Sequence, residues 1–324
     1  MSDNVLEIHT QVPTRIDLAG GTLDLWPLYL FLDNPTTINL AINLYAETNL
    51  KLSKGKGRIT LQSLDQKQEV RLTLLNRNKI NIPSSLVLHE KLLDFFLTYN
   101  KVDSSYFQDK NITLSTTSQS PAGAGLGGSS SLCVSILGAF FELGEKLNII
   151  KKTRFHLEEL ITIVKDTETQ VINVPAGLQD YYAATYGGLQ CLSWKTPKTK
   201  RTCLSKKTAL GLEKRLLVFY SGKSRQSGLN NWLLFKNFID QMDLKYRDQN
   251  DLKYRDLQDL KYRDPKDLKY KAQNDLKYNT QKNHIKSKFQ AIANASSQLY
   301  KALLQEDWKK IGLAIQEEWN TRQT

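Results

Sequence analysis

Between Ser118 and Phe141 the chain reads SQSPAGAGLGGSSSLCVSILGAFF, and this segment limits the possible folds more than any other. The alternating run Ile112 to Thr117 before it predicts a strand. Ser129 to Leu147 after it predicts a helix that is apolar on most faces and therefore buried. Between them, Gly123, Gly125, Gly127 and Gly128 let successive backbone N–H groups turn toward one point without side chains in the way. The helix start adds unpaired N–H groups and the positive end of its dipole. Strand, glycine loop and buried helix in this order predict a phosphate-binding turn in a mixed α and β domain. Pro121, Gly123, Gly125, Leu126, Gly127, Gly128, Ser129 and Ser130 are its candidate nucleotide contacts. The serines at the helix start are candidate caps and offer hydroxyls to a metal–nucleotide complex.

Two familiar phosphate loops do not fit. A Walker A loop needs Gly-Lys-Ser/Thr, whereas Ser129 follows Gly128. The spacing Gly123-x-Gly125-x-x-Gly128 satisfies a dinucleotide fingerprint formally, but that motif needs an acid at the end of a second strand. The acids at that distance, Glu142 and Glu145, lie in the same predicted helix. A flexible Gly/Ser linker is the bland alternative, and the tight strand and helix on either side weigh against it.

Ahead of the loop the pattern is mainly extended. Val5 to Gln11, Arg15 to Leu18 and Thr37 to Leu52 predict strands, and Arg58 to Leu64 with Glu69 to Leu75 reads as a hairpin. Leu86 to Leu97 has helical spacing. Beyond the loop, Arg154 to Thr169 predicts an amphipathic helix, a shorter helix around Tyr181 to Ala184 ends at Gly187-Gly188, and Leu189 to Trp194 and Leu216 to Tyr220 are strand candidates. From Asp243 a unit of eight residues recurs, as DLKYRDQN, DLKYRDLQ, DLKYRDPK, DLKYKAQN and DLKYNT. On a helix, a period of eight drifts by roughly 80° per unit, and on a strand each unit offers only two apolar residues, so a solvated insertion is the expectation. Helical patterning returns from His284 to Asn320.

A chain of 324 residues has room for two subdomains. No run is apolar and long enough to span a membrane, and the N-terminus has no secretion-signal pattern. The three cysteines, Cys133, Cys191 and Cys203, show no CxxC spacing, which suits a reducing, cytoplasmic setting. Part of the net charge of +12 sits between Lys195 and Arg215. No aromatic residues interleave with that cluster, which argues against a nucleic-acid platform and leaves a solvated basic surface.

SPAGAGLGGSSS resembles the second motif of the GHMP kinases, PxGxGLGSSxx. PTRIDLAGGTLDLWPLY, from Pro13 to Tyr29, resembles that family's N-terminal motif in its sugar-kinase branch. ETQVINVPAGLQDYYAATYGGL, from Glu168 to Leu189, resembles its acid-bearing segment, and RQSGLNNW, from Arg225 to Trp232, looks like a segment of bacterial sugar-kinase-like members. The resemblance implies an α+β fold of two subdomains: residues 1–190 as a ribosomal protein S5 domain 2-like, ATP-binding half, and residues 191–324 as an incomplete, ferredoxin-like half interrupted by the repeats at 243–279. It implies ATP and Mg²⁺ as the cofactors and a sugar or sugar phosphate, of the heptose phosphate kind, as the phosphoryl acceptor. It also implies that Ser129 and Glu168 hold the metal, Asp180 and Arg15 are catalytic, and Gly21, Thr22 and Asp24 contact the substrate.

Each residue keeps a plainer alternative on sequence grounds. Asp180 could be a helix N-cap, Asp24 a turn residue, Arg15 half of a structural ion pair and Glu168 a solvated helix-face charge. Gly128 stands where many members have a serine, and Leu178 where related sugar kinases often have lysine. No third glycine-rich motif follows Gly228, so an incomplete C-terminal subdomain is expected. A nucleotide- or sugar-binding remnant without turnover is therefore the alternative function, and a decarboxylase of the same fold acting on a diphosphate a further one.

Overall fold

The computed structural model describes residues 5–73, 80–150, 156–224, 233, 235–239 and 286–323. The repeats at 243–279 and the segment Arg225 to Trp232 lie outside the described residues. The packing divides the chain into two units, each discontinuous in sequence. The first comprises residues 1–18, 38–192 and 201–227, and the second comprises residues 19–37, 193–200 and 228–324.

The first unit is organised by one sheet. Its strands are β1 (Leu6–Ala19), β2 (Thr36–Lys54), β3 (Arg58–Ser63), β4 (Gln68–Thr73), β5 (Lys110–Ser118), β6 (Leu189–Ser193) and β7 (Lys200–Cys203). They run in the order β4-β3-β5-β2-β6-β7, and β1 also pairs with β2. The hairpin expected from Arg58 forms as β3 and β4, with Leu61 opposite Val70. β5 is antiparallel to β2, with Leu114 opposite Leu50, and parallel to β3, with Leu114 opposite Leu61. These three leucines are fully buried. Along β5, Ile112, Leu114 and Thr116 face inward while Thr113 and Ser115 do not, the alternation of a sheet with one covered face.

α1 (Val87–Tyr99), α2 (Gly128–Lys146) and α4 (Gln179–Tyr186) pack on the sheet, and α3 (Leu157–Ile172) packs on these three helices. The buried helix expected from Ser129 is α2, fixed to α1 by the stacked rings of Phe96 and Phe140, 5.3 Å apart. It is fixed to the sheet by Ser135, whose Oγ donates to Thr48 Oγ1 at 2.8 Å. The basic stretch after Lys195 forms β7 and a short helix, α5 (Lys206–Glu213), neither of which the charge pattern announced. Leu216 to Tyr220, expected as a strand, is irregular, and Leu217 and Phe219 are 81% and 84% exposed. An extended run becomes a strand only against another backbone, and among the described residues none pairs with it.

Among the described residues, the second unit holds the turn after β1, α6 (286–304) and α7 (Trp308–Gln323). The helical pattern from His284 is thus two helices, separated where Glu306 takes a left-handed φ of 54°. Phe289, Ile292, Leu299 and Leu303 form the buried stripe of α6, and Phe238 packs edge-on against Phe289 at 5.8 Å. No described helix is long and apolar enough to cross a membrane.

Candidate functional site

The glycine loop sits in the first unit, between β5 and α2, as its sequence requires. Gly123, Gly125 and Gly127 all have positive φ, near 72–76°. At Gly127 a side chain is also excluded by space: a Cβ there would lie 3.1 Å from Asp180 Cγ. At Gly123 a Cβ would overlap the Ser224 hydroxyl, at 1.8 Å. Gly127 is the N-cap of α2 and no side chain caps the helix, so the serines do not act as caps. The first-turn N–H groups therefore keep their capacity to meet an anion.

The three serines that follow have three different settings. Ser129 is exposed and lines the pocket described below. Ser130 is buried, and its hydroxyl donates to Glu168 Oε2 at 2.8 Å. Ser131 is buried against β1, donating to the Pro13 carbonyl at 2.9 Å.

Glu168 is not a solvated helix-face charge. It is 5% exposed, on the inner side of α3. Burial pushes its pKa above the ordinary carboxylate range, against the hydroxyls of Ser129, Tyr181 and Ser130, while the negative Asp180 nearby pushes it further up. Tyr181 Oη donates to Glu168 Oε2 at 2.6 Å. The groups that set the charge of this buried carboxylate are neutral hydroxyls and a second acid, an arrangement that a cation would relieve.

Asp180 and Arg15 meet directly. Arg15 Nε donates to Asp180 Oδ1 at 2.7 Å, and its Nη2 lies 2.5 Å from the same oxygen. Arg15 Nη1 donates to the Gly125 carbonyl at 2.7 Å, and the Arg15 backbone N–H to the Leu126 carbonyl at 3.0 Å. One side chain thus ties the acid to the glycine loop. Asp180 lies in the first turn of α4, whose N-cap is Leu178, so the cap role does not apply. Two buried amides hold α4 from below: Asn39 Nδ2 donates to the Gln179 carbonyl and Gln190 Nε2 to the Tyr182 carbonyl, both at 3.1 Å.

Beside the loop is a pocket of about 250 Å³ lined by Ser118, the run from Ser120 to Leu126, Gly128, Ser129 and Glu168, and by Asp65, Ser85 and Ile172 from the elements around it. A hydroxyl, a buried acid and loop N–H groups form a hard-oxygen, phosphate-directed donor set that suits Mg²⁺ bound together with a nucleotide. Among the described residues there is no cluster of three or more His, Cys, Asp or Glu. Mg²⁺ commonly keeps several waters and takes phosphate oxygens with only one or two carboxylates, so the residues present fit it.

Gly21, Thr22 and Asp24 belong to the second unit. Asp24 is buried, 3% exposed, and Thr22 has a φ of 73°. Their turn is clamped by α7, a contribution that the sequence did not signal. Gly20 N–H donates to Glu318 Oε1 at 3.1 Å, and Arg322 Nη2 donates to the Gly21 carbonyl at 2.8 Å. Arg322 Nε also donates to Glu318 Oε1 at 2.7 Å, which joins the two clamps.

Residues 91–188 match the GHMP kinases N terminal domain. Over 235 residues the chain is 28% identical to the D-glycero-alpha-D-manno-heptose 7-phosphate kinase of Campylobacter jejuni subsp. jejuni, an alignment covering 68% of this chain. The chain spans 61% of the length of that relative. Among solved structures, a candidate sugar kinase from Campylobacter jejuni superposes with a TM-score of 0.62 at 21% identity, over 98% of this chain and 78% of that one. Lactococcus lactis galactokinase complexed with galactose superposes with a TM-score of 0.59 at 15% identity, over 95% and 72%. The chain shares the fold of these sugar kinases, and its residues 91–188 match the N-terminal domain of the GHMP kinases.

Proposed function

We propose that the protein transfers the γ-phosphoryl group of ATP to a hydroxyl of a sugar or sugar phosphate, of the heptose phosphate class. The observation that carries this reading is the join of Arg15 to both Asp180 and the carbonyl of Gly125. A carboxylate is thereby held beside a phosphate loop, as transfer to a hydroxyl needs. The 28% identity to a heptose 7-phosphate kinase supports the acceptor class. The three described thiols are free, which suits the cytoplasm.

Loop N–H groups between Gly123 and Ser130 bind the nucleotide phosphates, except that of Ala124, which donates to the Pro121 carbonyl. Ser129 and Glu168 would hold Mg²⁺, which when bound supplies positive charge against the phosphate oxygens. Asp180 accepts or orients the acceptor hydroxyl's proton. Arg15 fixes the rotamer of Asp180 and the path of the loop together. Gly21, Thr22 and Asp24 form the candidate sugar-binding turn.

An ADP-release assay across a panel of sugars and sugar phosphates tests the reading. Release with a heptose phosphate, abolished in Asp180→Ala while ATP still protects that variant against thermal unfolding, is expected. Protection by ATP without release for any acceptor would instead make the chain a nucleotide-binding remnant. Equal loss of turnover and protection in Asp180→Ala would refute a catalytic role for Asp180.

A further inference from the structure

We infer that Tyr181 is a positioning residue for the metal–nucleotide complex, its phenol fixing the carboxylate of Glu168 from within the core. The inference rests on the reading of Glu168 as a metal-holding residue and deepens it. Tyr181 is fully buried, and its hydroxyl has a specific target, Glu168 Oε2, at 2.6 Å. Ser130 donates to that same oxygen at 2.8 Å. Two donors converging on one carboxylate oxygen restrict rotation of the group more than either alone, and they satisfy a charge that burial has cut off from water.

The placement has a second consequence. Tyr181 follows Asp180, and the first turn of α4 directs the two side chains to different parts of the site: Asp180 to Arg15 and the loop, Tyr181 to Glu168. A short helix held from below by Asn39 and Gln190 thus sets both acids at once. A buried tyrosine needs some partner for its hydroxyl, and here that partner is a buried acid that lines the pocket. Outer-shell donors to metal ligands typically govern metal affinity by 10–100-fold.

The test is Tyr181→Phe, which removes one oxygen and keeps the ring. ATP binding is measured calorimetrically across a Mg²⁺ titration and again with a chelator present. The expected result is a rise of about tenfold in the Mg²⁺ concentration that half-saturates ATP binding, with metal-free ATP binding within about twofold of wild type. A purely structural tyrosine would lower the melting temperature and leave the Mg²⁺ midpoint unmoved, which would overturn the inference. Glu168→Gln separates the two levels. If Glu168→Gln shifts the midpoint and Tyr181→Phe does not, the positioning role falls and the metal reading stands. If Glu168→Gln also leaves it unmoved, the metal reading itself falls. Should Tyr181→Phe fail to fold, 3-fluorotyrosine at 181 alters the phenol's hydrogen bond at nearly constant shape; a midpoint indistinguishable from wild type would then overturn the proposal.

Discussion

Arg15→Met removes the guanidinium that joins Asp180 to the glycine loop while keeping much of the apolar stem. The Arg15 side chain is 9% exposed and that of Asp180 23%. Breaking such a pair costs about 3–5 kcal/mol in a fully buried setting. Water reaches about a quarter of Asp180, so roughly 2 kcal/mol is the better figure for the pair, with about 1 kcal/mol more for the bond to the Gly125 carbonyl. A total of about 3 kcal/mol corresponds to a fall of roughly 6–12 °C in the melting temperature for a unit of this size. Turnover should fall by about 10²-fold, because the freed carboxylate no longer keeps one position. The decisive assay is a double-mutant cycle on stability by urea unfolding, with Arg15→Met, Asp180→Asn and the pair. If the guanidinium acts through Asp180, the cycle closes with a coupling of about 2 kcal/mol. Additive losses, with coupling under about 0.5 kcal/mol, would refute the reasoning and reduce Arg15 to an anchor of the loop backbone.

Two further perturbations probe the same unit. Gly127→Ala introduces a Cβ 3.1 Å from Asp180 Cγ on a residue whose φ is 74°; we expect about 1–2 kcal/mol of strain and roughly tenfold lower turnover, and a variant with wild-type turnover would refute the close approach. His89 is buried, with Nε2 2.7 Å from Thr116 Oγ1, and burial lowers its pKa to about 4 from the ordinary 6.5. Below pH 6.5 the unfolded chain takes up a proton that the folded chain refuses. Stability should therefore fall by roughly 3 kcal/mol as the pH drops from about 6.5 to about 4. Urea unfolding at about pH 7 and about pH 4.5 should show part of this loss in the wild type and not in His89→Gln.

Much of the first unit is legible from local pattern. The strand–loop–helix around Gly123 to Ser129 needs only glycine's freedom at positive φ and the apolar face of α2, both properties of adjacent residues. Helix α1 and the hairpin of β3 and β4 follow from periodicity in the same way. What local pattern does not carry is which distant residues meet. The Glu168 carboxylate reads as one more charge on an amphipathic helix, and only the packing of α3 on α2 buries it against Ser130 and Tyr181. Tyr181, Asn39 and Gln190 give no signal of their own, because a buried hydroxyl or amide is defined by its partner across the core. Leu216 to Tyr220 shows the opposite case, a strand-like composition that stays irregular where no described backbone pairs with it.

The sequence by itself determined the chemistry of the loop, because a turn of glycines before a buried helix can direct N–H groups outward whatever surrounds it. It also determined the candidate acids, through motif order. Only the tertiary structure decided the rest. Joining Arg15 to Asp180 closes a separation of 165 residues, and joining Gly20 to Glu318 one of 298. Motif order suggests a division of the chain near residue 190, yet packing places residues 19–37 with the C-terminal helices, since the turn after β1 buries its polar groups against Glu318 and Arg322. Contacts over such separations depend on how whole elements stack, and a local run of residues holds no record of that.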